Sequence, residues 1–147
     1  MPGSSASLHV AVLVAVLACA GTAHAQATQR IGLLLTISHA TQTPGPVDPE
    51  SAEIHKRLQQ EFLYQGLRVI ERRHIDLALQ EIGGVVLPSG KRVSLRPMSL
   101  SPTGVLIAVE VPGTLETDVR VANHQHVVIG LERYQNGKLI LTLQPDY

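Results

Sequence analysis

The chain has 147 residues, with 12 Lys or Arg against 12 Asp or Glu, so its formal net charge is zero. This length is typical of one domain, and the neutral charge argues against a strongly basic nucleic-acid binder. Aromatic residues make up only 3% of the chain and tryptophan is absent, which leaves few surfaces on which bases or sugars could stack. Composition therefore argues against nucleic acid as a partner.

The first 25 residues have the pattern of a signal peptide. Residues 1–26 contain no Lys, Arg, Asp or Glu, and the apolar run over 10–18 is too short to span a bilayer. The A-x-A sequence at 23–25 is typical of the sites that signal peptidase cuts. We therefore expect export, to the periplasm or beyond, of a chain that begins at Gln26 and has no transmembrane segment.

The only cysteine, Cys19, suggests an alternative. The residues before it, Val16-Leu17-Ala18, resemble a degenerate lipobox, and a cut at this point would leave a lipid-anchored protein. If cleavage instead follows residue 25, the mature chain has no cysteine and therefore no disulfide or thiolate chemistry. In the signal-peptide interpretation, residues 26–147 form a single β-rich domain.

A strand and a helix are expected in the first part of this domain. The apolar run over 31–37 predicts a buried strand, and the Ser-, Thr- and Pro-rich stretch over 38–49 predicts a loop. Asp48 and Pro49 are typical of a helix start. One apolar stripe is formed by residues four apart, Ile54, Leu58 and Phe62. We therefore predict an amphipathic helix over 49–65, ended by Gly66.

From Gly66 onward the apolar period changes from helical to alternating. Strands are predicted at 67–71, 75–79, 85–87, 92–96, 105–111, 115–121, 127–134 and 139–143. A helix through 75–82 is the alternative for the second of these. Asn136-Gly137 predicts the last hairpin. The expected fold is α+β, an antiparallel β-sandwich or barrel-like sheet with one packed amphipathic helix.

We expect a partner to bind at an edge strand of the sheet. The strands at 31–37 and 139–143 are predicted to be edge strands, whose free backbone groups a partner's strand could pair with. The last strand is the better candidate because it carries no charge between Leu139 and Leu143. Lysine at Thr142 is therefore expected to weaken partner binding without destabilising the fold.

Two histidines are the candidate metal ligands. His124 and His126 are two residues apart, so on a strand they would share a face and could hold copper or zinc. Ordinary surface histidines are the competing interpretation, because residues 123–124 fall where a turn is expected. The glycines fit no nucleotide-binding pattern, and no cofactor is expected.

Candidate catalytic groups are few. The carboxylates of Glu110, Glu116 and Asp118 are explained by charge alternation along a solvated strand, and no nucleophile motif is present. A basic group consists of Lys56, Arg57, Arg68, Arg72 and Arg73. Because glutamates are interspersed among these cations, a solvated mixed-charge face is the preferred interpretation.

The chain resembles a group of small exported bacterial proteins of unknown function. The resemblance is carried by Leu87-Pro-Ser-Gly-Lys91 and by the stretch from Val128 through Asn136-Gly-Lys-Leu-Ile140. It implies a signal peptide, one helix and a β-rich C-terminal half, and it offers no catalytic residues to assign here. The residues themselves leave three function classes open. Expected export, the β-rich half and the lack of a catalytic motif favour a non-catalytic envelope module that binds another protein. The alternatives are a periplasmic metal-binding protein using His124 and His126, and an enzyme whose site the sequence does not reveal.

Overall fold

The computed structural model describes residues 28–43, 45, 47–62 and 64–147. The expected signal peptide, Cys19 and Gln26 lie outside these residues. The elements follow in the order β1 (Arg30–Thr41), a 3₁₀ turn (Pro49–Ser51), α1 (Ala52–Phe62), β2 (Gly66–Ala78), β3 (Gly83–Val86), β4 (Arg92–Ser101), β5 (Gly104–Val111), β6 (Leu115–Val121), β7 (Val127–Tyr134) and β8 (Gly137–Asp146). Of these, no helix is long and apolar enough to cross a membrane.

The eight strands form two antiparallel sheets of four. The first sheet has the order β2-β1-β8-β7, and the second has the order β3-β4-β5-β6. Side chains from both sheets meet in one apolar cluster, whose most deeply buried members include Ile31, Leu33, Leu35, Leu95, Ile107, Leu141 and Leu143. The structure thus confirms two antiparallel sheets around a shared core, with one short helix.

Alternating hydrophobicity predicted the strands of the second sheet well. In β5, Val105, Ile107, Val109 and Val111 are buried, while the residues between them are half-buried or exposed. This pattern is expected when one face of a sheet packs on the core and the other meets water. A type II turn with Gly113 at a φ of 70° then connects β5 to β6.

The predicted edges of the sheet are wrong. β1 pairs with both β2 and β8, and β8 pairs with both β1 and β7, so both strands are central. Thr142 lies between Thr36 and Val128 in this sheet and is only 7% exposed. Lysine at this position would bury a charge and destabilise the fold, so it cannot serve as a neutral test of partner binding.

The first strand and the helix have different bounds from those predicted. β1 continues to Thr41 through part of the expected loop, where buried His39 has its Nε2 atom 3.0 Å from the Tyr134 carbonyl oxygen. α1 ends at Phe62, before the predicted end at 65. Gly66 begins β2 and does not cap the helix; a Cβ there would lie 2.6 Å from Thr41 Oγ1. The Thr41 side chain and the Thr43 carbonyl oxygen therefore leave little room for a side chain at this position.

Two further predictions are corrected by the structure, one for residues 75–82 and one for Asp48. Residues 66–78 form one long strand with a bulge at Ile70, so the helix through 75–82 is wrong. Asp48 does precede the helical segment, but its side chain makes no capping hydrogen bond. Its carboxylate instead accepts a hydrogen bond from the Val69 N–H at 3.0 Å, which ties the helical segment to the edge of β2.

Candidate functional site

A groove of about 300 Å³ lies where α1 packs against the first sheet. Leu58 and Ile140 are buried in its apolar part, and Val128 packs against them. Arg57 and Lys138 supply cationic side chains to the same groove. The site therefore combines an apolar surface with positive charge.

The register of the β7–β8 hairpin explains how Lys138 comes to line the groove. Gly130 in β7 pairs with Ile140 in β8, and Lys138 is the next residue of β8 on the same face. A Cβ at Gly130 would lie 3.1 Å from the Lys138 Nζ atom. The missing side chain at Gly130 thus leaves room for the ammonium group to lie across β7.

A second cavity of about 460 Å³ shares residues with the groove. Tyr64 and Lys138 line both cavities, and the second adds Arg133 together with polar residues of the β7–β8 turn, Gln135 and Asn136. The two cavities therefore extend the positive surface along the outer face of the hairpin.

The cations of this surface have no acidic partner among the described side chains. Arg57, Arg133 and Lys138 form no ion pair within the described part of the chain, and neither cavity has an Asp or Glu among its described lining residues. By contrast, Arg72 pairs with Glu50 and Arg73 with Glu71. Cations beside an apolar surface, with no carboxylate paired to them among the described side chains, are suited to bind an anionic group.

The two candidate metal ligands lie in different surroundings. His124 occupies a turn before β7 with a φ of 60°, and its Nδ1 atom is 3.7 Å from an oxygen of Asp146. His126 lines the groove with Arg57 and Lys138. Across the described residues, no three or more His, Cys, Asp or Glu side chains are grouped as metal ligands would be. The two histidines were expected to share one face of a strand, but residues 123–126 form a turn and an irregular segment. Metal binding by His124 and His126 stays a prediction.

The candidate carboxylates lie on the second sheet, away from the groove. Glu110 and Glu116 are directly opposite each other on β5 and β6, and Asp118 is the next residue of β6 on that exposed face. Like charges opposite each other across two strands are mildly destabilising. Solvent on this face reduces the repulsion, as expected for a solvated strand.

Of the predicted basic group, only Arg57 lines the groove. Sequence reasoning missed Lys138, Arg133 and Tyr64. The turn at 135–136 and alternation along its two strands would have placed Gly130, Lys138 and Ile140 on one face, but their contact with α1 depends on tertiary packing.

Comparisons of the chain with protein-family models, with curated proteins and with solved structures give no match.

Proposed function

We propose that this chain is an exported, non-catalytic module of the bacterial envelope, periplasmic or secreted, that binds another protein through the free edge of β6. In this proposal α1 is a packed amphipathic helix that covers part of the first sheet. The edges of the sandwich then remain as places where a partner can pair with the backbone.

Three of the four sheet edges have features that hinder pairing. β3 is only four residues long. Val47 and Asp48 bond to the edge of β2, and a bulge at Ile70 interrupts its register. β7 contains a second bulge, from which Glu132 bonds to the opposite sheet's β3–β4 turn. Short strands, covering segments and bulges all protect edges against further pairing.

The edge of β6 has none of these features within the described residues, and this observation carries the proposal. All seven residues of β6 pair with β5 in unbroken register. Charges lie only on its exposed face, whereas Leu115, Thr117 and Val119 face inward and are half-buried. A regular edge without an inward charge or a proline favours the addition of a partner strand.

A lysine at Thr117 tests this edge. Its inward-facing side chain would hinder strand addition, while the half-buried position allows the ammonium group to reach water. We expect affinity capture from envelope extract, read by mass spectrometry, to lose specific partners with Thr117→Lys. The matched control Thr103→Lys, in the exposed β4–β5 turn, should retain them. Retention of every wild-type partner by a folded Thr117→Lys variant would show the edge proposal to be wrong.

A photo-crosslinking residue at Asp118 gives a second readout that does not depend on weakened binding. Asp118 is exposed on the outer face of β6, so a benzoylphenylalanine there should leave the core intact. We expect it to crosslink the partner captured by the wild type, whereas the same residue at exposed Lys56, on the helix that packs against the other sheet, should not. Equal crosslinking from the two positions would contradict binding at β6.

A further inference from the structure

We propose that the groove between α1 and the β7–β8 hairpin binds a small anionic amphiphile, a molecule with a carboxylate or phosphate head and a short apolar chain. This inference concerns the outer face of the first sheet and is independent of the partner proposed for β6. The proposal is based on one cavity that is lined by cationic side chains on one side and by apolar side chains on the other.

The cationic side of the groove fits the head of such a ligand. Arg57 and Lys138 both line the cavity, and neither forms an ion pair within the described residues. Guanidinium and ammonium groups form charge-assisted hydrogen bonds to carboxylate and phosphate oxygens. Lys138 is half-buried, so part of the cost of removing water from its charge has already been met by folding.

The apolar side of the groove fits the chain. Leu58 and Ile140 are buried with Ala40 and Leu67, and Val128 packs against them. The volume of about 300 Å³ lies at the lower end of ligand cavities, which are typically 300–1,000 Å³. A small ligand with a short apolar chain is therefore within the size that this space accepts.

The shape of the site favours a single dissolved molecule over a membrane surface. The groove is concave, bounded by Leu58 of α1 on one side and by Gly130 of β7 on the other. Lys138 lies across Gly130 inside the cavity. A bilayer would meet exposed cations on a flat or convex surface, whereas these groups converge on a recess.

Calorimetric titration of the mature chain with monomeric octyl phosphate tests the proposal. We expect saturable binding of one molecule per chain at low salt, where ionic attraction is least screened. Lys138→Gln and Arg57→Gln should each weaken the affinity about tenfold, as the loss of one charge-assisted hydrogen bond predicts. The matched control Lys56→Gln, an exposed neighbour on α1 that does not line the groove, should leave the affinity unchanged.

Two further probes measure how much the charged head and the apolar chain each contribute to binding. Inorganic phosphate lacks the apolar chain and octyl glucoside lacks the charge, so each should bind at least about tenfold more weakly than octyl phosphate. The proposal is overturned if octyl phosphate does not bind, if octyl glucoside binds equally well, or if Lys56→Gln weakens binding as much as the groove variants. It is also overturned if the chain does not bind octyl phosphate but sediments with phosphatidylglycerol vesicles, because the ligand would then be a membrane surface. Should Lys138→Gln fail to fold, Arg57→Gln at its exposed position decides the outcome.

Discussion

Lys91 and Glu132 join the two sheets of the sandwich, with the Lys91 Nζ atom 2.7 Å from the Glu132 Oε2 atom. The Ser89 hydroxyl donates a hydrogen bond to the other oxygen of the same carboxylate. Lys91 also donates to Thr114 Oγ1 at 2.9 Å. The β3–β4 turn, the β5–β6 turn and β7 are therefore tied together by one lysine and one glutamate.

This arrangement makes stability depend on pH. Hydrogen bonds from Lys91 and Ser89 hold the pKa of Glu132 below its ordinary value of about 4.5. A carboxyl whose pKa is lower in the folded chain stabilises the fold above its unfolded pKa and loses that contribution as pH falls through the folded pKa. We expect Glu132→Gln to lower the free energy of unfolding by about 1–2 kcal/mol at pH 7, and the difference from wild type to shrink below about pH 4.5.

Urea melts at a series of pH values measure this difference. Glu116→Gln is the control: Glu116 is exposed, forms no ion pair within the described residues and lies opposite Glu110, so its neutralisation should leave the free energy of unfolding at pH 7 unchanged or slightly raised. A Glu132→Gln variant as stable as wild type at pH 7 would mean that the ion pair contributes nothing net.

Leu58 packs α1 against the first sheet. It is 3% exposed and packs with Ala40, Leu67 and Ile140. We expect Leu58→Ala to lower the free energy of unfolding by about 2–4 kcal/mol, because transfer energy is lost and a cavity remains. Chemical denaturation measures the loss, with exposed Lys56→Ala as the control on the same helix. A loss below about 0.5 kcal/mol would contradict the packing of this helix on the sheet.

Alanine substitutions at two glycines distinguish steric overlap from backbone strain as causes of lost stability. A Cβ at Gly137 would overlap the carbonyl oxygen of Ala40, whereas one at Gly113 would meet nothing within 4 Å. Gly137→Ala should therefore cost more than about 2 kcal/mol through displaced strands. Gly113→Ala should cost only about 1 kcal/mol, through its φ of 70°. Thermal melts of both variants test the order, and a reversed order would contradict the close approach of β8 to β1.

The mature N-terminus is predicted at Gln26, following the A-x-A sequence at 23–25. The intact mass of the chain recovered from a bacterial envelope measures the cleavage site directly. A species that begins with an acylated Cys19 would contradict this prediction and establish the lipid-anchored alternative.

Local pattern predicted most strands because each turn has a local cause. The type II turn at Gly113 and the hairpin near Asn136 depend on a few adjacent residues, so both could be read from the sequence. Strand order has no such local signal. The uncharged run from Leu139 to Leu143 predicts an open edge by its pattern, but it is apolar because it is buried between two other strands.

The candidate groove also depends on packing that has no local signal in the sequence. Lys138 and Gly130 share a face through hairpin register, which is a local relation, but Arg57 reaches the groove only because α1 packs on Ile140. The predicted end of α1 is wrong for a related reason. Gly66 suits a helix cap by local rules, but it begins β2, where a Cβ would crowd Thr41 Oγ1. Tertiary packing overrode local preference at both places.

The central pairing of β1 with β8 has a consequence for the order in which the fold can form. Ile37 pairs with Leu141, about 100 residues later, and contacts so distant in sequence slow folding. A chain that leaves a ribosome or a translocation pore amino end first presents β1 long before β8. Until the last strand emerges, the apolar β1 has one neighbour missing, and it is the segment through which an incomplete chain would aggregate or bind a chaperone.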